Sequence, residues 1–184
     1  NHVSTSQKQD DVTGSWRIST PKNVPHFSGV GYVFAKEIHE SLGEPVGMIS
    51  TNWGGSAAEA WMSREHLEAT AALAPLLKRT DADPPGDNHR PAHLYNGMIH
   101  PILSYGIRGA IWYQGESNVG RAAQYGIIFP EMIKDWRDQF NSGDFPFYFV
   151  QIAPYNYNRP EATAELRESQ DKTQQLKKTG MVVT

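Results

Sequence analysis

The second half of the chain alternates short apolar runs with long helical stretches, and this rhythm restricts the fold more than any other feature. Ile107 to Tyr113 has the character of a strand, Gln114 to Gly120 of a loop, and Ala122 to Phe140 of a helix. Phe145 to Ile152 is a second strand, Ala162 to Lys178 a second helix, and Gly180-Met181-Val182-Val183-Thr184 begins a further strand. Strands alternating with helices join through right-handed crossovers into a parallel sheet covered on both faces, so the class is α/β. Tyr125, Ile128, Phe129, Met132, Ile133 and Trp136 fall on one stripe of the Ala122 to Phe140 helix and form its core-facing side.

The first half is less regular. Residues 1–26 are polar and loop-rich, with Trp16-Arg17-Ile18 as a short strand, and the domain proper runs from Phe27 to Thr184. Val30, Phe34 and Ile38, with Tyr32 and Ala35 beside them, repeat at helical spacing. Ser28 caps the start and Gly43 lies just past the end, which predicts an amphipathic helix over about 29 to 42. Pro45 to Thr51 follows as a short apolar strand that breaks into the turn residues Asn52-Trp53-Gly54-Gly55-Ser56. Helical stretches are expected over Ala57 to Trp61 and Arg64 to Lys78, before a polar connection from Asp81 to Asn88.

Composition excludes several function classes. In 184 residues, 17 Lys and Arg stand against 20 Asp and Glu for a net charge of −3, with none of the basic clustering that binds nucleic acid or anionic membranes. The longest apolar runs, Gly106 to Tyr113 and Phe145 to Pro154, fall well short of the roughly 20 residues that span a bilayer. With no Cys, disulfides, thiolate metal sites and a Cys nucleophile are ruled out. No Gly-x-Gly-x-x-Gly or Walker-type loop supports nucleotide binding, and no cofactor is expected. His89 and His93 are four apart, but Pro91 interrupts any helix that would pair them, so no metal site is expected there. There is no signal peptide and no initiating Met, and the final strand has nothing after it, so the chain is expected to be a domain truncated at both ends.

In a parallel sheet the C-terminal ends of the strands share one edge, where ligands bind. Three strand ends are legible: Asn52-Trp53-Gly54-Gly55-Ser56, Gln114-Gly115-Glu116-Ser117-Asn118 and Gln151-Ile152-Ala153-Pro154-Tyr155. Together they supply amide side chains, glycines with open backbone N–H groups, a carboxylate and aromatic rings. That set suits a polar, uncharged, hydroxyl-rich ligand and an oxyanion, as a sugar ester would present. For each loop taken singly, a tight turn with Trp53 packed on the sheet is the alternative.

The runs Pro45 to Trp61, Leu94-Tyr95-Asn96-Gly97-Met98-Ile99 and Ile111-Trp112-Tyr113-Gln114-Gly115-Glu116-Ser117-Asn118 resemble the sialate O-acetylesterase family of SGNH-type carbohydrate esterases. Phe145-Pro146-Phe147, Val150 to Tyr155 and Leu166-Arg167-Glu168 continue the likeness, which covers nearly everything from Phe27 onward. The resemblance implies a flavodoxin-like three-layer α/β/α sandwich and hydrolysis of O-acetyl esters on sialic acid or other glycans, by a Ser nucleophile, a His base and an Asp, without metal. It also implies an extracytoplasmic location, periplasmic or secreted, or lysosomal in a eukaryote. The family's Gly-Gln-Ser-Asn nucleophile stretch and its Asp-x-x-His stretch do not occur in this sequence, so both are expected outside it. In that family the first strand lies mid-sheet, so its absence predicts an unpaired apolar gap between strands.

What carries over is Gly54 or Gly55 as a backbone oxyanion donor and Gln114, Gly115, Glu116 and Asn118 as the second block, with Gln114 or Asn118 as side-chain donor. Asn52, Trp53, Tyr95, Asn96 and Gln151 are the expected substrate contacts. Ser117 lacks the following Gly that a nucleophile elbow needs, since Val119 stands there, and it is expected to be a turn residue. Ser56 has no better support as nucleophile, and Glu116 either orients a base or binds a sugar hydroxyl, or is a loop carboxylate that accepts from backbone N–H groups. A glycan-binding module that keeps the crevice without chemistry is the alternative function. The flanking sequence distinguishes the two.

Overall fold

The computed structural model describes residues 2–79, 88–157 and 159–184, so most of the Asp81 to Asn88 connection lies outside the described residues. The described residues fall into two compact units, one within residues 13–52, the other within residues 2–12 and 53–184. The short N-terminal stretch 2–12 thus groups with the main body, a division that the composition did not suggest.

In the smaller unit, helix α1 spans Gly29–Leu42 as expected. Ser28 Oγ accepts the N–H of Gly31 at 3.2 Å. Gly43 closes the helix at φ +71°, a conformation that suits glycine. Tyr32, Phe34, Ala35 and Ile38 are half-buried, whereas Val30, Val33 and Leu42 are exposed. The strand expected over residues 45–51 does not form, nor does one at Trp16 to Ile18. A strand exists through its pairing, and this unit offers neither extended segment a ladder partner.

In the larger unit three strands, β1 (Ala110–Tyr113), β2 (Phe147–Val150) and β3 (Thr179–Val182), form a parallel sheet in the order β1-β2-β3. All three are shorter than the apolar runs that announce them. The α/β class is as expected; the three strands pair directly with one another, and among the described residues no strand pairs with the outer edge of β1. Helix α2 spans Arg64–Ala69, α3 spans Ala122–Phe140 and α4 spans Ala162–Thr173. The stretch expected to be helical over Arg64 to Lys78 breaks after Ala69 and resumes as a 3-10 turn at Ala74–Arg79. The break falls at Thr70, whose backbone leaves the helical region at φ −91° and ψ +102°. Helix α4 stops five residues short of Lys178, which adopts φ +54° just before β3.

The register places Trp112, Phe147, Phe149 and Met181 on one face of the sheet, and α3 covers that face. Phe129 lies edge-on to Phe149 at 4.9 Å between ring centroids, Trp136 stands 5.9 Å from Phe147, and Trp112 meets Trp136 at 5.6 Å. Tyr125, Ile128, Phe129, Met132, Ile133 and Trp136 are all buried, as their spacing predicts. The opposite face carries Ile111, Tyr113, Tyr148 and Val182, and Tyr113, Tyr148 and Val182 are exposed there. At the other end of the sheet the buried Arg137 guanidinium donates to the carbonyls of Phe145 and Lys177 at 2.9 and 2.8 Å. It thereby ties α3 to the entrances of β2 and β3.

Candidate active site

The loops after β1 and β2 are built on the sheet edge that should carry chemistry, and the 53–61 segment is laced to the first of them. Gly54 and Gly55 form a turn, with Gly55 at φ +72°. Asn88 Nδ2 donates to Gly54 O at 3.1 Å and Ser117 Oγ donates to Gly55 O at 2.8 Å. Gln114 Nε2 donates both to Ser56 O at 2.9 Å and to Asn118 Oδ1 at 2.7 Å. Asn118 Oδ1 also accepts the N–H of Ala58, at 3.0 Å. Both carbonyls of the turn therefore accept from side chains of other segments. Among the described residues, no internal acceptor engages the N–H of Gly54 or Gly55, and both glycines are exposed.

A second layer fixes the first. Asn118 Nδ2 donates to Glu59 Oε2 at 2.9 Å, and Arg121 Nη1 donates to Glu59 Oε1 at 2.8 Å. Glu59 and Asn118 are fully buried. Gln170 bridges the two strand ends, with Nε2 donating to Gln114 O at 3.1 Å and Oε1 accepting the N–H of Ile152 at 3.0 Å. Gly115, at φ +155°, has room for no side chain: a Cβ would meet Ile152 and Leu166 carbons at 2.7 and 2.8 Å. Tyr125, whose hydroxyl approaches Gln114 O at 3.4 Å, is fully buried, and burial pushes its phenol well above the usual range and keeps it neutral.

The expected site residues divide into those this lacing joins and those it does not. Gly54, Gly55, Gln114 and Asn118 come together as described, and Gly115 and Glu116 lie in the same loop, with Glu116 exposed. The amide hydrogens of Gln114 are both directed at protein acceptors, and Asn118 is shut off from solvent, so neither amide faces outward. Ser117 spends its hydroxyl on a carbonyl, which cannot act as a base, in keeping with the turn role. Gln151 is buried, its Nε2 donating to Arg167 O at 3.0 Å. Asn52 belongs to the smaller unit and donates to Ser50 Oγ at 2.9 Å. Trp53 is half-buried with the His2 ring stacked on it, centroids 4.6 Å apart.

Tyr95 and Asn96 lie apart from the lacing. Both are buried in a single π-helical turn, Tyr95–Ile99, crossed by residues 2–12. Gln9 N–H donates to Asn96 O at 3.0 Å and Asn96 Nδ2 donates to Thr5 O at 3.1 Å. A Cβ at Gly97 would collide with Val3 O, so the crossing requires glycine. No group of three or more His, Asp and Glu side chains converges to hold a metal among the described residues.

Sequence reasoning assigned no role to Glu59, Arg121 and Gln170. The signal for Glu59 was present: one carboxylate within the small and apolar run Ser56-Ala57-Ala58-Glu59-Ala60-Trp61 has to find a partner once that run is buried.

The chain as a whole is similar to known proteins. Residues 9–184 match the family model described as carbohydrate esterase, sialic acid-specific acetylesterase. The chain belongs to that family. It is 31% identical over 167 residues to the sialate O-acetylesterase of Homo sapiens, covering 82% of this chain and 32% of that protein. To the Mus musculus sialate O-acetylesterase it is 30% identical over 193 residues, covering 83% of this chain and 36% of the relative. The crystal structure of a carbohydrate acetylesterase from Xanthomonas citri superposes with a TM-score of 0.83 at 38% identity, over 98% of this chain and 40% of that one. The chain therefore spans about a third of the length of the curated relatives it matches.

Proposed function

We propose that this chain forms the oxyanion-binding part of a carbohydrate O-acetylesterase acting on O-acetylated sialic acid or other glycans. The observation that carries the reading is the Gly54–Gly55 turn. Its carbonyls are taken by Asn88 and Ser117, which leaves its N–H groups directed away from internal acceptors. In ester hydrolysis the attacked carbonyl oxygen becomes an anion, and preorganised N–H donors stabilise it without reorganising at the moment of reaction. One such donor contributes about 3–4 kcal/mol to the transition state. Gln114 and Asn118 are hydrogen-bonded to the residues that follow the turn, Ser56 and Ala58.

The nucleophilic Ser and the Asp–His pair are assigned to residues other than those of this chain, in an SGNH-type arrangement and in an extracytoplasmic protein. The absence from this sequence of Gly-Gln-Ser-Asn and Asp-x-x-His stretches supports that assignment, together with the family match. The test is hydrolysis of 4-nitrophenyl acetate by this chain beside a natural longer form that carries both stretches. Turnover by the longer form alone supports the proposal. Longer forms with both stretches substituted and no turnover, but with binding of acetylated sugars, identify a glycan-binding module instead.

A further inference from the structure

We infer that Glu59 is a positioning residue for this site, setting the orientation of the Asn118 and Gln114 amides and through them the Gly54–Gly55 turn. The inference rests on the proposed esterase reading and adds to it a residue that contacts no substrate.

The argument is one of donors and acceptors. A carboxylate only accepts and a guanidinium only donates, whereas an amide does either according to which way it is turned. Arg121 Nη1 donates to Glu59 Oε1, which leaves Oε2 to accept from Asn118 Nδ2. That contact turns Asn118 so that Oδ1 faces the opposite side, where it accepts from Ala58 N–H and Gln114 Nε2. Gln114 is turned in the same way, and its second amide hydrogen reaches Ser56 O, next to the glycine turn. Every link is buried except the solvent side of Arg121, whose side chain is 30% exposed. Reversing Asn118 would set its NH2 against two donors at a fully buried position, where a polar group without a partner is costly. The direction of the whole relay is therefore set at its Glu59 end.

The test exchanges the two ends of the central bond. In Glu59→Gln, either Arg121 or Asn118 faces a donor and the relay loses its fixed direction. In Asn118→Asp, two carboxylates face one another. In the double variant the amide now at position 59 accepts from Arg121 and donates to the carboxylate now at position 118. That carboxylate accepts from Ala58 and Gln114, so the sequence of donors and acceptors is restored with no change in net charge. In a natural longer form that hydrolyses 4-nitrophenyl acetate, each single variant is expected to lower kcat about 10- to 100-fold with KM little changed, the scale of losing fixed geometry at a reacting centre. The double variant is expected within a few-fold of the parent. Glu59→Gln within twofold of the parent overturns the inference. So does a double variant as impaired as Asn118→Asp, because the Asn118 amide itself would then be needed.

A readout independent of turnover separates this inference from the esterase reading. Slowly exchanging side-chain NH2 resonances of Gln114 and Asn118 are expected in the parent, fast exchange in Glu59→Gln, and slow exchange of the Gln114 NH2 again in the double variant. A parent without esterase activity but with this pattern refutes the proposed function and keeps the relay. Unchanged exchange in Glu59→Gln refutes the relay whatever the activity. Should Glu59→Gln not fold, Arg121→Gln, altered at the half-exposed end, is expected to give the same loss of protection in milder form, and full protection there overturns the inference.

Discussion

Replacing Gly115 by Ala should cost more than any other single methyl added near the site, and the structure allows the cost to be divided. The backbone at φ +155° and ψ −29° is one that residues with a Cβ rarely adopt, and such strain costs about 1–3 kcal/mol. The new methyl would also lie 2.7 Å from Ile152 Cγ2 and 2.8 Å from Leu166 Cδ2, in the packed seam between β2 and α4, where overpacking costs about 1–3 kcal/mol. Gln170 Nε2, 3.3 Å from that methyl, is the donor to Gln114 O and cannot retreat freely. The sum is about 2–6 kcal/mol. Gly120, at φ +90° with nothing within 4 Å of a Cβ, isolates the backbone part. Urea unfolding followed by circular dichroism should give Gly120→Ala a loss of about 1–2 kcal/mol. Gly115→Ala should lose clearly more, with an apparent Tm lower by about 6–12 °C if the loss is near 3 kcal/mol. Equal losses for the two variants would refute the claim that this seam has no room behind the strand end.

Arg137→Met should destabilise the chain by about 3–5 kcal/mol in urea unfolding, because the carbonyls of Phe145 and Lys177 lose a buried cationic donor; Arg137→Lys should recover little, since one ammonium cannot reproduce the fork. Asp135 is fully buried, and burial raises its pKa above 3.8 despite the Ser63 N–H and hydroxyl that hold its charged form. The folded state then binds the proton more tightly than the unfolded one, so this group's contribution to stability falls as pH rises from 3.8 through the folded value. A carboxyl 13C titration should place the Asp135 midpoint above 3.8, and a midpoint at or below it contradicts the assignment. Gly97→Val should expel residues 2–12 from the π-helical turn, seen as fast amide exchange at Thr5 and Gln9; retained protection of both would show that the close approach of Val3 O to Gly97 is not what seats them.

Most of what was legible in the sequence lay where local pattern and tertiary packing agree. Helix α3 was readable to both ends because its apolar stripe is the surface that meets Trp112, Phe147 and Phe149. Residues 45–51 have the composition of a strand, but composition supplies no neighbour to pair with, and in the smaller unit none is present. At the site, the glycines and amides announced themselves by type, whereas their division of labour did not. That Gln114 and Asn118 spend their amides on Ser56, Ala58 and Glu59 depends on long-range contacts across about 60 residues, which no local window contains. Tyr95 and Asn96 were grouped with the site by resemblance, but the structure gives them to the crossing of residues 2–12, a contact between distant parts of the chain.

The most direct test of the central claim is acetate release from O-acetylated sialic acid by a natural longer form carrying this chain, compared with its Ser117→Ala variant and a variant substituted at the Gly-Gln-Ser-Asn serine. The account predicts turnover that is abolished at that serine. It predicts only about a fivefold reduction in Ser117→Ala, the scale of one lost hydrogen bond to Gly55 O. Turnover abolished by Ser117→Ala and unaffected by the other substitution would contradict it, and would place the nucleophile in the loop assigned here to shaping the oxyanion site.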